Sequence, residues 1–161
     1  MTRDPRSRII VGIMTGTSLD GIDACAMRVD GHGMAMRTEY LGAASIPLLE
    51  LTGPLRALAD DEPVPASTVA TLRRRLGERC GDAVAAIGLR APIDLIAVHG
   101  QTVHHAPPES WQLIDPFPIA HRFSCRVACD LRGLDRTAGG CGAPITPVAD
   151  WILHRGKDPR V

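Results

Sequence analysis

Asp130, Arg132 and Asp135 stand close together in "ACDLRGLDRTAGGCGAP", and Gly139, Gly140 and Gly142 follow at once. A carboxylate beside a guanidinium stays ionised, which suits a general base or a metal-bound water. The glycines let backbone approach a ligand closely. An Asp–Arg structural pair next to a flexible loop explains the same residues equally well. A second cluster, "HGQTVHH", offers His99, Gln101 and Thr102, which donate and accept hydrogen bonds as a polyhydroxylated ligand requires. His104 and His105 are adjacent and point apart in an extended chain, and no HExxH spacing supports a metal, so no metal ligands are expected. The third cluster is "GIMTGTSLDGID". Gly16, Thr17, Ser18, Asp20, Gly21 and Asp23 are more polar groups than a hairpin turn needs, and they fit a phosphate or metal–phosphate site. A hairpin whose Thr, Ser and Asp satisfy their own backbone remains open at this point. No P-loop Lys-Ser/Thr and no GxGxxG occur, which sets aside classical NTPase and dinucleotide folds.

Each cluster follows an apolar run. Residues 8–14, 22–29 and 36–45 read as three consecutive strands, the first pair joined by the polar hairpin. "TGPLRALADD" reads as a short helix with Thr52 as its cap. Val69, Leu72, Leu76, Cys80, Val84 and Ile87 recur at helical spacing and mark one long amphipathic helix. Its polar face carries Arg73, Arg74, Arg75 and Arg79, expected to be solvated. "IDLIAVHG" is continuously apolar, as in a strand covered on both faces. "WQLID" and "RVACDLR" read as further strands, "PFPIAHRF" as a helical turn and "ITPVADWILHR" as a final helix. This order predicts an α/β domain with a mixed central sheet flanked by helices. Ligands in such sheets collect beyond the strand ends, so residues 15–23, 99–105 and 130–144 would converge if their strands were neighbours.

The 161 residues suffice for one domain. Basic and acidic residues balance at 18 each, so nothing steers the chain toward nucleic acid or an anionic membrane. No run approaches the roughly 20 apolar residues of a membrane span, and no signal peptide is legible, so a cytoplasmic location is expected. Five cysteines without a CxxC pair predict buried free thiols rather than zinc or disulfides.

In order along the chain, "GIMTGTSLDGID", "VHGQTVHHAP", "WQLIDPFPIAHR" and "CDLRGLDRTAGGCGAP" resemble the anhydro-N-acetylmuramic acid kinases of bacterial peptidoglycan recycling, from residue 9 to about 155. The resemblance implies a ribonuclease-H-like lobe of the sugar kinase/Hsp70/actin superfamily, with residues 1–161 as the N-terminal lobe of a two-lobed enzyme. It implies that Gly16, Thr17, Ser18, Asp20, Gly21 and Asp23 bind the phosphates of ATP with Mg²⁺. It places His99, Gln101, Thr102, Asp130, Arg132 and Gly140 on the sugar and makes Asp135 the catalytic base. The implied reaction opens the 1,6-anhydro ring with water and phosphorylates O6. Family members usually carry Ser at Thr15, Gln at Cys141 and often Arg at His104, and they run to more than twice this length. A chain supplying a second lobe, or a homodimer, is the expected partner, and the lobe by itself is not expected to turn over. A non-catalytic remnant that binds a muramyl sugar or a partner chain is the alternative.

Overall fold

The structure is a computed structural model that describes residues 7–154. The chain forms β1 (Ser7–Thr15), β2 (Gly21–Asp30), β3 (Arg37–Pro47), α1 (Thr52–Ala59) and α2 (Ala66–Ala86). β4 (Leu95–Val98), β5 (Gln101–Ala106), β6 (Glu109–Leu113) and α3 (Phe117–Phe123) follow. β7 (Arg126–Ala128), α4 (Gly133–Thr137) and α5 (Pro147–His154) complete it. Five strands make a mixed sheet in the order β3-β2-β1-β4-β7. β1, β2 and β3 form an antiparallel meander, while β4 runs parallel to both β1 and β7. This is the α/β architecture with a mixed central sheet flanked by helices that the sequence predicts.

Alternation along β1 decides which face is covered. Ile9, Val11 and Ile13 are buried, whereas Gly12 and Met14, which alternate with them, are exposed. The buried side meets α2, whose Leu72, Leu76, Cys80 and Val84 form the expected stripe and pack with Leu55, Ile96, Val98 and Ile119 in one core. Burying each such side chain contributes about 1.5–3 kcal/mol. Gly77 and Gly81 sit within the same stripe because α3 and its approach cross there. Arg122 of α3 bonds Asp82 at 2.7 Å and, with Arg79, holds that carboxyl below its ordinary range.

Several expectations are corrected. β4 is covered on one face: Ile96 and Val98 are buried, and Leu95 and Ala97 are partly open. Thr52 is not the cap of α1, since Leu51 holds that position; its hydroxyl lies 3.5 Å from the Leu19 carbonyl instead. Gln101, within "HGQTVHH", opens a further strand, β5, which pairs with β6 as a separate two-stranded sheet. Arg73, Arg74 and Arg75 are exposed as expected, with Arg74 paired to Glu78 and Arg75 to Glu50, whereas Arg79 is partly buried and donates to the Pro47 carbonyl. Of the five thiols, Cys80 is buried, and burial pushes it up to about 12; Cys129 and Cys141 are exposed rather than buried. Among the described residues there is no metal-ligating cluster, and no helix is long and apolar enough to cross a membrane.

Candidate active site

The parallel β1–β4–β7 arrangement puts three chain segments at one end of the sheet: the turn after Thr15, His99–Gln101 after β4, and Cys129–Arg132 after β7. The sequence clusters therefore converge, and hydrogen bonds join them. Thr15 donates its hydroxyl to the Gly100 carbonyl at 2.9 Å, and His99 Nδ1 shares that acceptor at 2.8 Å. His99 Nε2 then receives Arg132 Nε at 3.0 Å and Nη2 at 2.8 Å, while Arg132 Nη1 donates to Gly142 O at 2.6 Å. One ring nitrogen donating and the other accepting assigns the neutral Nδ1–H tautomer. The relay runs from the hairpin strand through His99 to the glycine loop.

Asp135 secures the other side of that loop. It lies in α4, a short helix within a stretch whose glycines suggest only a loop, and its Oδ2 accepts the Gly142 N–H at 2.7 Å. Gly140 packs under the same carboxylate, where a Cβ would come within 3.0 Å of it. Gly142 has φ +68, so both glycines answer a local demand. Asp130 is exposed at φ +50 and accepts the Gly133 N–H at 3.0 Å, which starts α4.

In the turn after β1, Leu19 is buried and adopts φ +58, anchoring the loop to the core. Arg56 of α1 takes the Ser18 carbonyl at 3.1 Å. Among the described residues the N–H groups of Thr17 and Ser18 donate to no protein acceptor, and both hydroxyls are exposed. That donor set fits an anion such as a phosphate. Gly16 leaves the loop open, and a Cβ there would stand 3.1 Å from Ser18 Oγ. Gly21 does something else: it opens β2, and a Cβ there would meet the Ile46 carbonyl at 2.9 Å, so packing on β3 excludes a side chain. Asp20 and Asp23 border a hollow of about 330 Å³ with Ser45.

Gln101 is 1% exposed; its Nε2 donates to Thr102 O at 3.2 Å, and its Oε1 is buried without a partner among the described residues. Thr102 faces Gln112 across the hairpin. Thr15 does not stand out as a site residue from its own type and place in the strand, although it bears on the relay. An apolar residue in place of Thr15 would read equally well as strand. A groove of about 810 Å³ crosses the open sheet face from Ala43 past Gly12 and Ala97 and reaches Asp23 and His99.

A family model described as anhydro-N-acetylmuramic acid kinase matches residues 8–160. The chain belongs to the anhydro-N-acetylmuramic acid kinase family. Relatives named anhydro-N-acetylmuramic acid kinase occur in Bacillus thuringiensis subsp. konkukian (strain 97-27), at 32% identity over 159 residues, and in Bacillus cereus (strain B4264), at 31% over 159. The matches cover 91% of this chain and 42% and 41% of those relatives. The chain thus spans about two-fifths of the length of the curated relatives it matches.

Burial is the main cause pushing the His99 pKa below its ordinary 6.5, and the Arg132 charge adds to it, against the Gly100 bond that raises it. The unfolded chain therefore binds this proton more readily than the folded one. The stability His99 contributes is complete above its unfolded value and is lost as pH falls through the depressed folded value. Thermal melting of the chain should drop more steeply from pH 7.5 to 5 than that of His99→Gln, whose amide oxygen still accepts from Arg132. Parallel pH profiles would show that His99 does not hold the relay.

Proposed function

We propose that these residues form the sugar- and phosphate-binding half of an ATP-dependent kinase acting on 1,6-anhydro-N-acetylmuramic acid in cell-wall recycling. The observation that carries this is the relay joining the anion-ready turn to the Arg132–Gly142 loop at one sheet end. In the reaction, water adds to the anomeric carbon, the bond from that carbon to O6 breaks, and O6 takes the γ-phosphoryl of ATP. Thr17 and Ser18 would bind phosphate oxygens through backbone and hydroxyl donors. Asp20 and Asp23 would lie beside those phosphates and the Mg²⁺ that accompanies ATP, which would neutralise developing charge there. His99, Thr102, Asp130 and Arg132 face the sugar in this reading, with Gln101 supporting them from beneath and Gly140 shaping the loop. A partner chain or the remaining family length would complete the cleft, since phosphoryl transfer depends on positioning from both sides. A cytoplasmic location follows from a kinase that draws on cellular ATP.

Asp135 has two roles to separate: the catalytic base that the resemblance implies, and the brace that its Gly142 bond supports. Asn keeps an oxygen for the Gly142 N–H but cannot take a proton. In a family-length protein carrying these residues, Asp135→Ala should weaken sugar binding by about tenfold, the loss of a charge-assisted bond. Asp135→Asn should hold sugar affinity within about threefold. Turnover of the Asn variant reads the base role by itself: a fall of about 10²-fold or more places the base at Asp135, and turnover near wild type leaves it as the brace. The substrate assignment is tested in the same assay by product mass, which must equal sugar plus water plus phosphoryl. A phosphorylated product without the added water contradicts the ring-opening reaction.

A further inference from the structure

Both ring nitrogens of His99 are engaged within the protein. Nδ1 lies 2.8 Å from the Gly100 carbonyl, and Nε2 lies 3.0 Å from Arg132 Nε and 2.8 Å from its Nη2. A neutral imidazole offers one donor and one acceptor, so this ring has no hydrogen bond left to give a ligand. Its orientation is fixed from the sheet side as well. The same Gly100 carbonyl takes the hydroxyl of Thr15, which is buried at the end of β1.

Arg132 is the group that this arrangement serves. Its third bond, from Nη1 to Gly142 O at 2.6 Å, holds the guanidinium on a second edge. A guanidinium carries five N–H groups in a rigid fork, so three bonds leave one N–H on each terminal nitrogen for a ligand. A free arginine spreads over many rotamers, and ordering it on a ligand consumes part of each bond's gain. Arg132 is permanently charged and donates to His99 only while Nε2 carries no proton. A proton there removes the acceptor and sets two positive charges in contact. Burial and the Arg132 charge both disfavour that proton and outweigh the Gly100 bond. Two other charged groups stand near. Asp23 of β2 lines the same groove as His99, and Asp135 of α4 lies beyond the Gly142 peptide; neither bonds the ring.

We propose that His99 is a positioning residue for Arg132, acting on the sugar through the guanidinium that it orients and only while its ring is neutral. The ligand's identity rests on the functional reading above. Two measurements on the chain separate the role from that reading. The first needs no ligand: the side-chain Nε–H resonance of Arg132 in a nitrogen-15 NMR spectrum, assigned by its loss in Arg132→Lys. It should be protected from exchange at pH 7.5 and fade as His99 takes up its proton. It should persist at pH 5 in His99→Gln, whose amide oxygen accepts at either pH, and be lost in His99→Leu. The second is titration with 1,6-anhydro-N-acetylmuramic acid at pH 7.5 and pH 5. The parent should bind at least about threefold more weakly at pH 5. His99→Gln should stay within about threefold of the parent at pH 7.5 and hold that affinity at pH 5, while His99→Leu should bind about tenfold more weakly at pH 7.5. If His99→Leu fails to fold, the flat profile of His99→Gln decides. Sugar affinity in His99→Gln that falls with pH as the parent's does, or a His99→Leu protein that binds like the parent, overturns the positioning role and leaves the sugar reading standing. An Arg132 resonance that follows His99 in a parent that binds no sugar overturns the sugar reading, and the part assigned to His99 in sugar binding falls with it.

Discussion

Gly77→Ala should lower the melting temperature by roughly 3–10 °C, although it replaces a helix-interior glycine with the best helix former. Taken alone, that exchange would add up to about 1 kcal/mol of helix propensity. The opposing effect is steric. A Cβ on Gly77 would come within 3.0 Å of the Asp115 carbonyl, which is backbone and has no rotamer to escape through. The same segment is tied to α2 by the bond from Asp115 N to Arg73 O at 3.2 Å, so the two elements cannot part without losing it. Overpacking of this kind costs about 1–3 kcal/mol, occasionally more, and the close contact places Gly77 toward the upper end. Gly53→Ala in α1 is the internal control: nothing lies within 4 Å of its Cβ position, so it should be neutral or slightly stabilising. Circular-dichroism melts of both variants decide the matter. A Gly77→Ala protein melting at or above the parent would mean that α2 does not pack as closely on the approach to α3 as described.

The strands of the meander and the long helix are legible in the sequence because burial imposes a period on their residues. Val11 and Ile13 alternate with Gly12 and Met14, and Leu72, Leu76, Cys80 and Val84 keep one face of α2. Strand adjacency is legible only conditionally. Nothing in "IDLIAVHG" states that it lies beside β1; the pairing of Ile10 with Leu95 through Ile13 with Val98 supplies that. That pairing, with the parallel pairing of β4 and β7, brings three separate polar clusters to one sheet end. The first half of hairpin β5–β6 is hidden, since its polar residues alternate with little that is apolar: Gln101 and Val103 are buried, but His104 and His105 are exposed. Helix α4 is hidden too, because five residues carry no periodicity and its start depends on Asp130 accepting from Gly133. Gly21 shows the limit of residue-type reasoning most clearly. Its motif suggests phosphate access, and what surrounds it is a neighbouring strand's carbonyl.

The candidate site residues also divide by what they touch. His99, Arg132, Asp135, Gly140 and Gly142 share one connected set of bonds and close approaches. Thr17, Ser18, Asp20 and Asp23 remain solvent-facing. The proposed two-ligand reading needs such a split: a pre-formed loop for one ligand and, for an anion, the donors of Thr17 and Ser18. Pre-organised donors avoid the cost of rearrangement at the moment of reaction.

The central claim, that one sheet end presents an anion site and a sugar site side by side, is tested most directly by the amide NMR spectrum of the chain. ATP and 1,6-anhydro-N-acetylmuramic acid are titrated separately, then with Gly16→Val. A branched side chain at the open turn obstructs the approach of phosphate to the backbone, so that variant should lose the ATP response by about tenfold or more while keeping the sugar response. In the parent, ATP should shift the amides of residues 15–23 and the sugar those of 99–102 and 129–142, with residues 30–33 and 88–93 at the opposite sheet end unmoved. ATP shifts that fall elsewhere, or that survive Gly16→Val undiminished, would contradict the account.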